Sequence, residues 1–219
     1  MEKPQVMYIF DPLCGWCYGF SPVIKKLKEE FQEVFDFKAY TGGMVLGDRI
    51  GTIAEKFKFL QDGAVENVEK TTGVQFGDAF KTNMLEKGDY IVDSEPPSIA
   101  FTSLRALAPN QEVDIAHDMQ KALYLEGKSF NETETYLELA DKYNIKREEF
   151  QAVYEAPEAK ARAYSEFQMV QQLGINGYPT VVVVIGEQGY LAARGYQPYE
   201  QISATLKKIQ EDKLGVMDS

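Results

Sequence analysis

The sequence is poor in the residues that most often announce a site. Among 219 residues there are two cysteines, one histidine and one tryptophan. Two cysteines and one histidine cannot complete a closed four-ligand nitrogen and sulfur zinc site within one chain, so no metal is expected. Basic residues are outnumbered, 23 Lys and Arg against 34 Asp and Glu, for a formal net charge of −11. Nucleic acids and anionic membrane surfaces select clustered positive charge, so neither is expected as a partner. No uncharged apolar run approaches the roughly 20 residues that span a bilayer. Val181–Ile185 is among the longest. Met1-Glu2-Lys3-Pro4-Gln5 shows no basic stretch followed by an apolar core, so no export signal is read there. The expectation is a cytoplasmic protein whose acidity serves solubility. A length of 219 residues suits one large domain, or a small domain carrying an insertion, and a hydrophobic content of 44% is that of an ordinary globule.

What is present is concentrated. Both cysteines lie in Cys14-Gly15-Trp16-Cys17. Two cysteines placed at random in such a chain fall three apart only about one time in a hundred. The motif sits between an apolar run, Val6–Phe10, and a helix-like stretch, Tyr18–Phe31. A Cys-x-x-Cys that opens a helix after a strand puts its first sulfur at unpaired backbone N–H groups. The macrodipole there favours a thiolate, by up to about 2 kcal/mol in partly buried geometry. Cys14 is therefore read as the attacking sulfur and Cys17, one turn on, as the resolving one. A purely structural disulfide closing so short a loop would constrain the unfolded chain very little. Two inert buried thiols give no reason for the spacing.

Along the chain, Val6–Phe10 reads as a strand buried on both faces. Phe20, Val23, Ile24, Leu27 and Phe31 form one apolar helix face, with Pro22 expected to kink it. Phe35–Tyr40 alternates with period two and reads as a second strand, parallel to the first, ended by Thr41-Gly42-Gly43. From Met44 to about Ala156 helical periodicity dominates. Asp48–Glu69 reads as one amphipathic segment with a break at Asp62-Gly63, and Asp93–Ser98 as a loop leading into Ile99–Leu107. A helix of about four turns is expected up to Glu126. Asn131 or Thr133 is placed to cap Tyr136–Tyr143, and Lys146–Tyr154 follows. Five helices inside an α/β frame is the economical reading. From Pro157 a helix runs to about Leu173, closed by Gly174. Strands flanking a four-residue Gly186–Gly189 loop then form a hairpin. Pro198 starts a last helix, and Leu214–Ser219 reads as a frayed tail.

This order resembles a thioredoxin fold with a large all-helical insertion, as in the DsbA-like branch. Residues 1–43 and 157–219 would be the thioredoxin-like domain and 44–156 the inserted one. Tyr8–Phe20, Thr41–Met44, Leu123–Lys128, Pro157–Lys160 and Leu173–Thr180 are similar to the FrnE-like group of predicted bacterial, cytoplasmic protein-disulfide isomerases. The resemblance implies a thiol–disulfide oxidoreductase with Cys14 and Cys17 as nucleophile and resolving thiol and no cofactor. Its partners would be protein thiols and disulfides, with a thioredoxin- or glutathione-type electron donor. It also implies that Pro179 is a cis-proline facing the pair, presenting the backbone of Tyr178 to an extended substrate. Non-catalytic DsbA-like adaptors and glutathione-dependent isomerases or transferases share the frame. The latter tend to carry Ser at the first cysteine position, and the intact pair here argues against them.

Two departures stand out. Where many relatives bury a carboxylate six residues before the nucleophile, this chain has Tyr8. Asp11 can relay protons to Cys17, but its place before Pro12 reads better as turn-forming. Trp16 brings no positive charge to the motif. Met44 and Tyr178 are read either as an apolar groove beside Gly15 and Trp16 or as core filling. His117 reads as an exposed surface histidine.

Overall fold

The computed structural model of the chain describes residues 3–215. Its central sheet follows from the apolar runs. Strand β1 (Gln5–Phe10) pairs parallel with β2 (Asp36–Thr41) and antiparallel with a strand from the far end of the chain, so Tyr8 lies opposite Ala39 on one side and Val181 on the other. Between β1 and β2 runs helix α1 (Gly15–Phe31), a crossover of the usual kind for parallel neighbours. Pro22 lies inside it. β1 is buried on both faces, as a continuous apolar run requires. Val6, Tyr8 and Phe10 join the main core, while Met7 and Ile9 pack with Val170 on the other face.

Residues 44–156 are more fragmented than the periodicity suggests. The expected amphipathic segment Asp48–Glu69 is instead a turn of 3-10 helix at Gly47–Arg49, strand β3 (Gly51–Thr52), helix α2 (Ile53–Lys56), a second 3-10 turn at Lys58–Leu60, and helix α3 (Ala64–Thr72). The break at Gly63 is present, because that residue adopts φ +108. A capping box starts α2: the Thr52 hydroxyl accepts from the Glu55 N–H, and the Glu55 carboxylate accepts from the Thr52 N–H. Helix α4 (Asp78–Phe80) runs into a π-helical turn at Lys81–Glu86, and strand β4 (Ile91–Val92) pairs antiparallel with β3.

The larger helices follow. Helix α5 (Glu95–Leu107) begins four residues earlier than expected, since Pro96 and Pro97 fit the first turn, where no N–H is needed. Helices α6 (Glu112–Tyr124), α7 (Thr133–Lys142) and α8 (Arg147–Tyr154) follow. Neither Asn131 nor Thr133 caps α7; Glu132 holds that position, without a side-chain bond. α6 packs against α1 and β2, and α5 against α6 and α8. One continuous core therefore runs from Phe10 in the sheet to Phe101 in α5, their rings 5.0 Å apart edge to face.

Helix α9 (Pro157–Gln172) returns the chain to the sheet. Its Glu166 forms an ion pair with Arg105 of α5 and accepts from the N–H of Thr41 at 2.8 Å. Strand β5 (Thr180–Ile185) and strand β6 (Gln188–Arg194) form the hairpin with a two-residue loop, shorter than the four expected, and a bulge at Val181/Val182. The sheet order is β2-β1-β5-β6. Helix α10 (Tyr199–Leu214), capped at Pro198, packs on α1 and β6. The expected frayed tail thus begins after Leu214, and its residues 216–219 lie outside the described residues. No helix among the described residues is long and apolar enough to cross a membrane.

Candidate active site around Cys14 and Cys17

Cys14 is the N-cap of α1, in extended backbone conformation. Its Sγ accepts the N–H of Cys17 at 3.3 Å, one of the orphan donors of the helix end. The approach is set by a tight turn in which the Cys14 N–H donates to the Asp11 carbonyl at 3.0 Å. Gln120 of α6 donates to the carbonyls of Asp11 and Cys14, at 3.3 and 3.5 Å. Cys14 is 6% exposed and Cys17 fully buried. Burial, the hydrogen bond with Cys14 and the negative charge Cys14 would carry all push the Cys17 thiol up; the Asp11 N–H offsets part of this.

The Tyr178–Pro179 peptide bond is cis. Across it, the Tyr178 carbonyl lies 3.7 Å from the Cys14 Sγ, within reach of its S–H. The Tyr178 ring is held by the Gly42 carbonyl, which accepts its hydroxyl at 2.8 Å. Position 42 has to be glycine, because a β-carbon there would lie 2.1 Å from that ring. The Thr41-Gly42-Gly43 stretch and Tyr178 are thus one device. Burial pushes the Tyr178 phenol up to about 12.

Asp11 is more than a turn residue. Its carboxylate accepts from the Leu13 N–H at 3.0 Å, as expected of a turn-forming Asp. It is also fully buried and accepts from the Met44 N–H at 2.7 Å and the Ser94 hydroxyl at 2.9 Å. Burial outweighs these donors and raises its carboxyl to about 6. Tyr8, where relatives place an acid, is buried with its hydroxyl 3.5 Å from the Cys17 carbonyl, and burial pushes its phenol up strongly.

Beside Cys14 opens a cavity of about 720 Å³. Gly15, Trp16, Met44 and Tyr178 line it, together with Phe57, Val65, Val68, Phe76, Phe80 and Tyr124 from residues 44–156. A β-carbon at Gly15 would meet the Phe76 ring at an ordinary 3.5 Å, so that glycine is not forced by space. Trp16 is half-buried, 6.5 Å from the Tyr196 ring. Arg49 and Lys56 stand on the rim, unanticipated in sequence; so were Ser94, Gln120 and Tyr124. His117, read as a surface histidine, is instead half-buried between α1 and α6, its Nδ1 2.8 Å from the Ser21 hydroxyl, and burial lowers its pKa. Among the described residues no three His, Cys, Asp or Glu side chains converge as a metal site would require.

A family model described as Thioredoxin matches residues 7–204. The chain belongs to the thioredoxin family. Within that family it is similar to a crystal structure of a "putative protein disulfide isomerase" from Nitrosomonas europaea, at 29% identity and a TM-score of 0.84, covering 97% of this chain and all of that one. The cytosolic disulfide reductase DsbM from Pseudomonas aeruginosa shares the fold, at 23% identity and a TM-score of 0.76, with 94% and 98% of the two chains covered. The ClpXP adapter protein SpxH of Halalkalibacterium halodurans is 23% identical over 98% of this chain and 69% of its own length. The fold is that of the DsbA-like thioredoxin proteins.

Proposed function

We propose that the protein is a thiol–disulfide oxidoreductase, an isomerase or reductase working through Cys14 and Cys17 on protein substrates in the cytoplasm. The observation that carries this is the asymmetry of the pair. Cys14 borders an open cavity at a helix N-terminus, with the Tyr178 carbonyl 3.7 Å from its sulfur, while Cys17 is buried one turn behind. In the forward step the Cys14 thiolate attacks a substrate disulfide, whose far sulfur leaves with two electrons and takes a proton from water. Cys17, once deprotonated, then attacks Cys14 and frees the second substrate sulfur. The pair is left as a disulfide for an electron donor to reduce. A thioredoxin- or glutathione-type thiol suits that role; a P. aeruginosa DsbM structure contains GSH. Substrate main chain would pair beside Tyr178 and Pro179, with Met44 and Trp16 flanking it.

Insulin reduction and refolding of scrambled ribonuclease test this reading. Cys14→Ser is expected to abolish turnover, and Cys17→Ser to accumulate mixed disulfides; full turnover by Cys14→Ser would overturn it. The SpxH relatives support a second reading, a non-catalytic adaptor that binds a partner through residues 44–156. A Cys14→Ser/Cys17→Ser variant that keeps a stable cellular complex, while the wild type shows no turnover, would favour it.

A further inference from the structure

The cavity beside Cys14 is larger and more apolar than capture of a substrate main chain requires. Its volume of about 720 Å³ is that of a site enclosing one small ligand. The floor is aromatic: the Phe76 ring lies 5.1 Å from that of Tyr124 and 5.6 Å from that of Phe80, with Val65 and Val68 beside them. The Tyr124 hydroxyl has no protein partner among the described residues. At the rim stand Asp48, Arg49 and Lys56, two cations and one anion in a chain of net charge −11. Neither cation is in an ion pair among the described residues. Arg49 reaches only the Gly43 carbonyl, at 3.5 Å, and Lys56 the Asp48 carbonyl, at 2.5 Å.

We propose that this cavity binds a low-molecular-weight thiol, or its disulfide, with an aromatic or bulky aliphatic body and one carboxylate: the body on Phe76 and Phe80, the carboxylate at Arg49, the sulfur at Cys14. The proposal rests on Cys14 being the attacking sulfur. The bond that forms is Cys14–S–S–R. The ligand's own S–S bond breaks, and its second sulfur leaves as a thiolate that water protonates. Cys17 then displaces the bound RS⁻, so the ligand gains the two electrons the cysteine pair loses. In the reverse direction the same mixed disulfide lets the thiol reduce the oxidised pair.

The test is the rate at which the reduced protein is oxidised by three disulfides, each normalised to the rate with a free small dithiol. Bis(carboxy-nitrophenyl) disulfide is aromatic and anionic, dipyridyl disulfide aromatic and neutral, and hydroxyethyl disulfide neither. The normalised order is expected to fall in that sequence. Arg49→Gln is expected to lower the anionic-to-neutral ratio about fivefold, the weight of one partly exposed charge contact. Ala64→Phe, which crowds the cavity from its rim, is expected to lower both aromatic rates relative to hydroxyethyl disulfide by about tenfold. Equal normalised rates, or ratios that neither substitution moves, would overturn the proposal; so would a higher normalised rate with a disulfide-bonded peptide, run as a fourth substrate, which would make the cavity a pocket for polypeptide side chains. Biphenyl carboxylate, which has no sulfur, separates this outcome from failure of the redox reading. Saturable quenching of Trp16 fluorescence, weakened about fivefold by Arg49→Gln, is expected even if Cys14 proves inert. Absence of such quenching counts against the cavity alone.

Discussion

The two sides of Cys14 are made differently. Toward the sheet it meets main chain: the Tyr178 carbonyl at 3.7 Å, its own helix N–H groups and the Asp11 turn. Toward residues 44–156 it borders the cavity, whose floor is aromatic and whose rim carries Arg49 and Lys56. Main-chain groups are indifferent to a partner's identity, whereas a shaped apolar surface selects. On the function proposed above, the sheet side would supply the exchange chemistry and the helical side the choice of what is exchanged. The two are joined along a broad seam, α1 against α6 and α3, α6 against β2 and α5 against α9, and within it lie the Phe10–Phe101 ring pair, the Ser94–Asp11 hydrogen bond and the Ser21–His117 contact.

Breaking these joints tests whether the two regions act as one body. The largest effect is expected from Phe101→Ala, which empties a fully buried site facing Phe10 and costs about 3–5 kcal/mol. Urea unfolding should remain a single transition with a lower midpoint; two separate transitions would show that the regions are independent.

Asp11→Asn comes next and carries a sign. Because the folded carboxyl sits at about 6, above its ordinary value, the folded protein binds this proton more tightly than the unfolded chain. The stability Asp11 contributes is present below about pH 4 and is lost as the pH rises through about 6. The wild type should therefore lose up to about 3 kcal/mol relative to Asp11→Asn between those limits. A gap that widens in the wild type's favour as pH rises would contradict the buried placement. Ser21→Ala should cost least, about 1 kcal/mol, by removing one hydrogen bond to His117. Loss of redox activity in this variant at unchanged stability would show that the α1–α6 contact does more than pack.

Much of the sheet side can be read in the sequence. Apolar runs such as Val6–Phe10 and Val181–Ile185 have the length of strands, and Cys14 falls between a strand and a helical face. The helical side reads poorly because its pieces are short. Between Gly47 and Thr72 the amphipathic pattern is satisfied by fragments, whose starts are marked by Thr52-x-x-Glu55 for α2 and by the Gly63 break for α3. The cavity is less legible still. Ser94 and Gln120 bond to Asp11 and Cys14, and Arg49 and Tyr124 line the cavity, all from separate elements that no local spacing joins. Asp11 illustrates the limit: its turn role is visible beside Pro12, but its burial comes from Met44 and Ser94, 33 and 83 residues away.

The division of labour depends on Cys14 being the sulfur that meets a partner. Brief alkylation of the reduced native protein with iodoacetamide, followed by peptide mass spectrometry, reads this directly. Label is expected on Cys14, with Cys17 left free until the protein is unfolded. Equal labelling of the two, or modification of Cys17 first, would contradict it.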